Sequence, residues 1–176
     1  MTSQRFKIAT GVGEQHAVGN LVSMDKYIKD VPNGAIATAD TDNFSLVTLG
    51  FDANGERTFS PLAAATDRSF LLAAVEVRYL DEKITEFYVG QGERARIIHL
   101  TEGLQIGVSA FALNTGITAV TPGQKAHWDV ATKKYLIHDG THADYATANV
   151  KFEVIADQPD IAYTLGVPMV ILEVTK

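Results

Sequence analysis

The sequence predicts a mainly β protein, folded as a small barrel or sandwich of short antiparallel strands with at most one short helix. Two observations lead to this prediction. Short apolar segments rich in β-branched and aromatic residues recur along the chain, and turn-forming residues separate them. Strands of this kind, with turns about every ten residues, are typical of barrels and sandwiches. The apolar fraction of 46% over 176 residues is enough for a core of ordinary size.

Residues 1–60 are expected to form a glycine-rich extended arm rather than a compact unit. The glycines that punctuate this stretch are Gly11, Gly13, Gly19, Gly34, Gly50 and Gly55. Short strand candidates lie between them at 17–24, 35–39 and 44–49. Because the arm carries few large apolar side chains, it is expected to become ordered against a neighbouring protein.

Residues 61–176 are expected to form the β-rich domain. Pro61 suits the first turn of a helix and the following alanines favour one, so a short helix is predicted at about 61–67. A strand should follow from Phe70. The β-branched and aromatic runs 75–80 and 84–89 flank the polar residues 81–83, which predicts a hairpin.

The second half of the chain continues as short strands and turns. Strands are predicted at 95–100, 104–113, 125–129, 135–137, 151–156 and 167–174. The segment 138–148 between two of these strands is polar and is predicted to be a loop. Pro168 has no backbone donor, so the last strand should begin at it or lie at a sheet edge.

The stretch Thr121–Asp129 carries the only tryptophan, Trp128. Pro122 and Gly123 fit the two central positions of a type II turn. The residues that follow alternate, with Ala126 and Trp128 on one face and Lys125, His127 and Asp129 on the other. This pattern predicts a half-buried strand that pairs with 135–137. Trp128, together with Tyr135, Phe152 and Tyr163, is interpreted as a core or interface anchor and not as a platform for a ligand.

Charge and cysteine content narrow the classes of function. Fifteen basic and twenty-one acidic residues give a net charge of −6, and no basic cluster offsets it, so a nucleic-acid partner is not expected. The absence of cysteine excludes disulfides, thiolate metal sites and a cysteine nucleophile. The N-terminal residues do not resemble a signal peptide and the apolar run 167–172 is too short to cross a bilayer, so a membrane partner is not expected either.

Two short motifs resemble ligand-binding loops but are incomplete. Gly11-Val-Gly13-Glu-Gln-His16 begins like a dinucleotide-binding fingerprint, but His16 replaces the third glycine and no helix pattern follows. Asp40-Thr-Asp-Asn43 begins like a calcium loop, but Ser45 and Phe51 stand where a glycine and a glutamate are needed. Both segments are interpreted as structural.

Metal-competent side chains gather in the predicted loop at His138, Asp139, His142 and Asp144. Two imidazoles and two carboxylates could hold a divalent ion. Gly140 argues against a helix that would place the histidines on one face, so the interpretation preferred here is a solvated acidic loop. We therefore assign no catalytic, cofactor-binding or metal-binding residue, and we expect a protein that is not an enzyme and has no cofactor.

Three segments resemble the capsid decoration, or cement, proteins of tailed bacteriophages. They are Val120-Thr-Pro-Gly-Gln-Lys-Ala-His-Trp-Asp129, Lys133-Lys-Tyr-Leu-Ile137, and the late strand from Gly166 to Val174. The similar part runs from about residue 104 to the end of the chain. The resemblance implies a structural virion protein, made in the host cytoplasm, that binds the major capsid protein on the outer surface of the shell and stabilises it there, as a homo-oligomer.

Two other functions remain open from the sequence. A tail or head–tail joining protein could use a β-barrel with an extended arm equally well. A small metal-dependent β-barrel enzyme would instead be centred on His138, His142 and Asp144.

Overall fold

The computed structural model describes residues 15–23, 25–76, 83–158 and 167–175. Within these ranges the chain forms fifteen strands, one short α-helix and two 3-10 turns, which confirms the prediction of a mainly β protein. Strands β1 to β15 are Gly19–Leu21, Ala35–Ala37, Thr41–Asp42, Leu46–Phe51, Arg57–Pro61, Phe70–Leu72, Tyr88–Val89, Arg94–Ala95, Ile97–His99, Gln105–Val108, Phe111–Leu113, Lys125–Asp129, Lys134–His138, Phe152–Gln158 and Met169–Val174. Helix α1 is Ala143–Thr147, and the 3-10 turns are Asp25–Tyr27 and Ile84–Glu86. None of the helices in these ranges is long and apolar enough to cross a membrane.

The larger sheet has seven strands in the order β1-β10-β15-β14-β12-β13-β11. Strands β10 and β11 are separated only by Ser109 and Ala110, yet β10 pairs with β15 and β11 pairs with β13. One stretch of chain therefore runs from β10, next to one end of the sheet, to β11 at the other end, and the sheet is nearly closed into a barrel. The β11–β13 pairing is parallel, and so is β2–β5 in the second sheet, whereas antiparallel pairing was expected throughout.

The inner face of this barrel is filled by alternate residues of its strands. The buried members from the second half of the chain are Leu104, Ile106, Val108, Ala126, Trp128, Tyr135, Ile137, Val150, Phe152, Val154, Val170, Leu172 and Val174. This alternation is the period of two that a strand with one buried face requires.

The second sheet has six strands in the order β8-β2-β5-β4-β6-β9, and it is apolar on both faces. Leu46, Leu71 and Ile98 belong to the same buried cluster as the barrel interior. Their chain neighbours point the other way into a second core, which is formed by Val31, Ala35, Ala37, Val47, Phe59, Phe70, Leu72, Phe87, Val89, Ala95 and Ile97. The uninterrupted apolar runs Phe70–Leu72 and Ile97–Ile98 follow from this burial on both faces.

The residues expected to form an arm supply strands to this sheet. In the described part of the arm, β2 pairs with β8 and β4 pairs with β6, both from the other side of residue 60, and β5 lies between β2 and β4. The boundary predicted at residue 60 falls inside β5. The segment shares a core instead of having its own, which explains why it holds so few large apolar residues.

Phe44 connects the two sheets. Its backbone has a φ of 60°, which is unusual for a large side chain. Three contacts hold it there: the Tyr135 hydroxyl donates to the Phe44 carbonyl at 2.9 Å, the Phe44 N–H donates to Leu72, and the ring lies against Gly19. A Cβ at Gly19 would lie 2.2 Å from that ring, so the position requires glycine.

Three local predictions were wrong. Residues 61–67 form turns and not a helix, because Pro61 ends β5 opposite Val47. The run 84–89 is not one hairpin strand: Ile84–Glu86 is a 3-10 turn, whose Glu86 carboxylate accepts from the Lys83 N–H, and β7 then pairs with β3. The polar loop 138–148 contains helix α1. The rest of the predicted hairpin, residues 77–82, lies outside the described residues.

Candidate functional site: a histidine cluster on the Trp128 hairpin

The predicted hairpin is confirmed as β12 and β13. Gly123 has a φ of 90° and turns the chain into β12, and Trp128 pairs with Tyr135 across the hairpin. On the inner face the Trp128 and Tyr135 rings meet edge-on with centroids 4.9 Å apart, and Phe152 meets Tyr135 edge-on at 5.2 Å. All three side chains are buried, as predicted, and burial raises the pKa of the Tyr135 hydroxyl far above its usual range.

The outer face of the same hairpin holds two histidines. His127 lies opposite Leu136, and His138 lies opposite Lys125, so the register places the two imidazoles diagonally on one face. An outward face of a half-buried strand is normally solvated, but His127 is 1% exposed and His138 is 0% exposed. A third ring, His142, caps the start of α1, where its Nδ1 accepts from the Asp144 N–H at 3.3 Å.

The three imidazoles form a compact group, which we call the histidine cluster: His127, His138 and His142. Ring centroids are 5.1 Å apart for His127 and His138, 4.9 Å for His127 and His142, and 5.7 Å for His138 and His142. Tyr145 of α1 meets His138 edge-on at 4.8 Å. Packing of these rings accounts for the burial of polar side chains on the outer face.

Hydrogen bonds fix the protons in the cluster. The Gly140 N–H donates to Nδ1 of His138 at 2.9 Å, so neutral His138 carries its proton on Nε2. That Nε2 lies 3.0 Å from Nδ1 of His127 and donates to it. Neutral His127 therefore carries its own proton on Nε2, and within the described residues no hydrogen bond reaches that atom.

Burial lowers the pKa of two imidazoles of the cluster, His127 and His138. It lowers the pKa of His127 below the ordinary value of 6.5, and the neighbouring His142 lowers it further. Burial, followed by the charges of His127 and His142, lowers the pKa of His138 to about 4. Both imidazoles are consequently neutral at pH 7, which is the state in which a ring nitrogen can bind a metal ion.

Three side chains of this region could hold a metal ion together: His127, His142 and Asp144. One ligand atom from each lies within 4.8 Å of the others. His127 is buried, His142 is half-buried and Asp144 is exposed, so the group opens from the barrel wall to solvent. This donor set differs from the one in the alternative that the sequence left open, since His127 replaces His138.

His138 does not join this donor set because its Nε2 is bonded to His127. Asp139 does not either: its carboxylate accepts from the Thr141 hydroxyl and N–H, and these bonds lower its pKa. His127 was missed because the alternation assigned it to the polar face. The sequence predicted the hairpin but not its register, and that register places His127 beside His138.

The other sequence candidates have structural roles where the structure describes them. Asp42 accepts from the His16 ring at 2.7 Å, and Asp40 accepts from the Gln91 N–H at 2.7 Å. Asn43 is buried and bonds both the carbonyl and the N–H of Ala74. His99 lies in β9 and meets Phe70 edge-on. Residues 11–14 and Tyr163 lie outside the described residues.

Comparison with known proteins places the chain in a family. A family model described as YonC prophage protein matches residues 12–175. The SPbeta prophage-derived uncharacterized protein YonC of Bacillus subtilis (strain 168) is 47% identical over 180 aligned positions, which cover 100% of this chain and 99% of the relative. No solved structure matches. Both matches name a prophage, which confirms the phage origin that the resemblance implied. The chain belongs to the YonC prophage protein family.

Proposed function

We propose that this protein is a structural component of a tailed-phage virion that binds the outside of the capsid shell and stabilises it. Its origin in a prophage and its mainly β fold support this function. The resemblance to decoration proteins adds support, because its best segment, 120–129, forms the tight turn and strand β12. In this proposal the protein acts by binding rather than by catalysis.

The observation that carries the proposal is the free edge of β11. Among the described strands, β11 has β13 as its neighbour on one side and lies at the end of the sheet on the other. The Ala110 carbonyl and the Asn114 N–H face β13, so the backbone groups of Phe111 and Leu113 point away from it. Of these, the Phe111 N–H donates to the Ser109 carbonyl, and the groups of Leu113 are the ones offered to another strand. Leu113 is 37% exposed on this strand.

An edge strand of this kind can accept a strand from another protein. Backbone hydrogen bonds would supply affinity, and an exposed apolar side chain would supply an anchor. A decoration protein that adds a strand to the major capsid protein, or to a second copy of itself, would repeat this contact over the whole shell. Many weak contacts then stabilise the particle together.

The test measures cosedimentation of the purified protein with expanded capsids that lack it. Leu113→Lys places a charge on the free edge, which blocks strand addition, and is expected to abolish binding. Ile155→Lys is the matched control: Ile155 is 38% exposed, but its strand, β14, has neighbours on both sides. The control is expected to bind as the wild type does.

Two results would count against the proposal. If the wild-type protein does not bind capsids but binds purified tails, the protein is a tail or head–tail joining protein instead. Binding of Leu113→Lys at wild-type strength would show that the β11 edge is not the contact.

A further inference from the structure

We propose that His127, His142 and Asp144 bind one divalent transition-metal ion of the zinc type, which fastens helix α1 to the barrel. This inference is independent of the proposed role on the capsid. It rests on the position of three donors from two elements that the chain brings together over the outer face of the hairpin.

The geometry is close to what a metal ion requires. In a tetrahedral zinc site the donors lie about 2.0–2.2 Å from the metal, and so about 3.3 Å from one another. The donors here lie within 4.8 Å. His127 is held in the barrel wall, whereas His142 and Asp144 lie at the start of a five-residue helix and are more exposed, so they can move inward.

The donor chemistry selects the type of metal. Two imidazoles and one carboxylate suit zinc, cobalt or nickel, whereas magnesium and calcium prefer oxygen ligands alone. Three protein ligands leave the fourth position of a tetrahedral ion to water, on the side where Asp144 is open to solvent. The chain has no cysteine, so a closed thiolate site is excluded.

His138 is the positioning residue of the proposed site. Histidines that bind metals almost always engage their second ring nitrogen with a fixed partner, and His138 provides one for His127 at 3.0 Å. Without metal, His138 donates to His127. When Nε2 of His127 binds the ion, the proton of that atom passes through solvent to Nδ1 of His138, and the His138 Nε2 proton passes to Nδ1 of His127. His127 then donates to His138, and the bond between the Gly140 N–H and His138 Nδ1 opens because that nitrogen now carries a proton.

The site would stabilise the folded protein. Because the unfolded chain does not hold the three donors together, an ion that binds the folded state raises the free energy of unfolding as its concentration rises above the dissociation constant. Contact between α1 and β12 would be strengthened most, since the ion joins His127 to the start of the helix.

The experiment uses full-length protein without a histidine tag, stripped with EDTA. Isothermal titration with zinc is expected to give one ion per chain, and cobalt is expected to give the visible absorption of a tetrahedral ion. The midpoint of thermal unfolding should rise with zinc and return with chelator. Failure of the stripped protein to bind either metal would overturn the proposal.

Variants distinguish this site from adventitious binding. His142→Ala should weaken zinc binding at least about tenfold, since even changes behind the ligands cost about 10- to 100-fold. Asp144→Asn, at an exposed side chain that leaves the fold intact, should also weaken it. His99→Ala is the matched control and should bind as the wild type does. Equal zinc affinity of the wild type, His142→Ala and Asp144→Asn would overturn the assignment.

Discussion

Trp128 fills the part of the barrel interior between the two sheets. Its ring is 4% exposed and packs edge-on against Tyr135, whose hydroxyl in turn bonds the Phe44 carbonyl of the other sheet segment. The Trp128–Tyr135 pair therefore supports both the hairpin that carries the histidine cluster and the contact between the two sheets.

We expect Trp128→Ala to lower the free energy of unfolding by about 3–5 kcal/mol, because it leaves a cavity in a packed core. Urea denaturation followed by circular dichroism measures this loss. Phe51→Ala is the control, since Phe51 is 69% exposed and its removal should change stability little. A Trp128→Ala protein of wild-type stability that no longer binds capsids would make Trp128 a binding residue and not a core residue.

At the scale of single residues, the sequence predicts the burial of the large aromatic side chains but not the burial of His127. Trp128, Tyr135 and Phe152 could be assigned to the core because large aromatic residues on alternating positions rarely have another place. His127 could not, since its burial depends on α1 and its loop, which fold over a face that alternation marks as polar. Only the combination of the hairpin register with the positions of His138 and His142 reveals the cluster.

Among the elements formed by neighbouring residues, the hairpin β12–β13 was predicted correctly. The hairpin β12–β13 depends on a turn and on two adjacent runs, and both are visible in the sequence. Helix α1 was missed because it is five residues long and starts with a histidine as its N-cap, an uncommon choice. The 3-10 turn at Ile84–Glu86 was missed because its apolar residues suit a strand equally well.

The turn before β12 allows a test at the scale of the element. Gly123 has a φ of 90°, and a Cβ placed there would meet nothing within 4 Å. Gly123→Ala should therefore lower the free energy of unfolding through the backbone alone, by about 1–2 kcal/mol.

Gly50→Ala in β4 is the control for this change. Its Cβ would be in ordinary contact with Thr58 at 3.4 Å, and Gly50 has no positive φ. Chemical denaturation of both variants measures the difference. Equal stability of the two alanine variants would show that the turn relaxes to another conformation without cost.

The whole molecule depends on contacts between distant parts of the chain, and these were the least predictable. Residues 105–113 close the barrel because β10 and β11 pair with β15 and β13, which are far from each other in the sheet order. The strands of the parallel pairings β11–β13 and β2–β5 are not joined by a short turn, so the local sequence does not indicate that they pair. The sharing of one core by both sheets follows from these pairings and has no local pattern.

The shared core leads to a prediction about the predicted boundary at residue 60. A chain that begins at residue 61 lacks β2, β4 and most of β5, and it also lacks Phe44 and Leu46 from the barrel-side core. Strand β6 would lose its partner β4, and the apolar residues on both of its faces would be exposed.

We therefore expect the 61–176 fragment to show no cooperative thermal unfolding and weak near-ultraviolet circular dichroism, because its aromatic residues lack fixed packing. Adding residues 1–60 as a separate fragment should restore part of both signals. A fragment 61–176 that unfolds cooperatively by itself would instead establish the boundary at residue 60 as a true domain boundary.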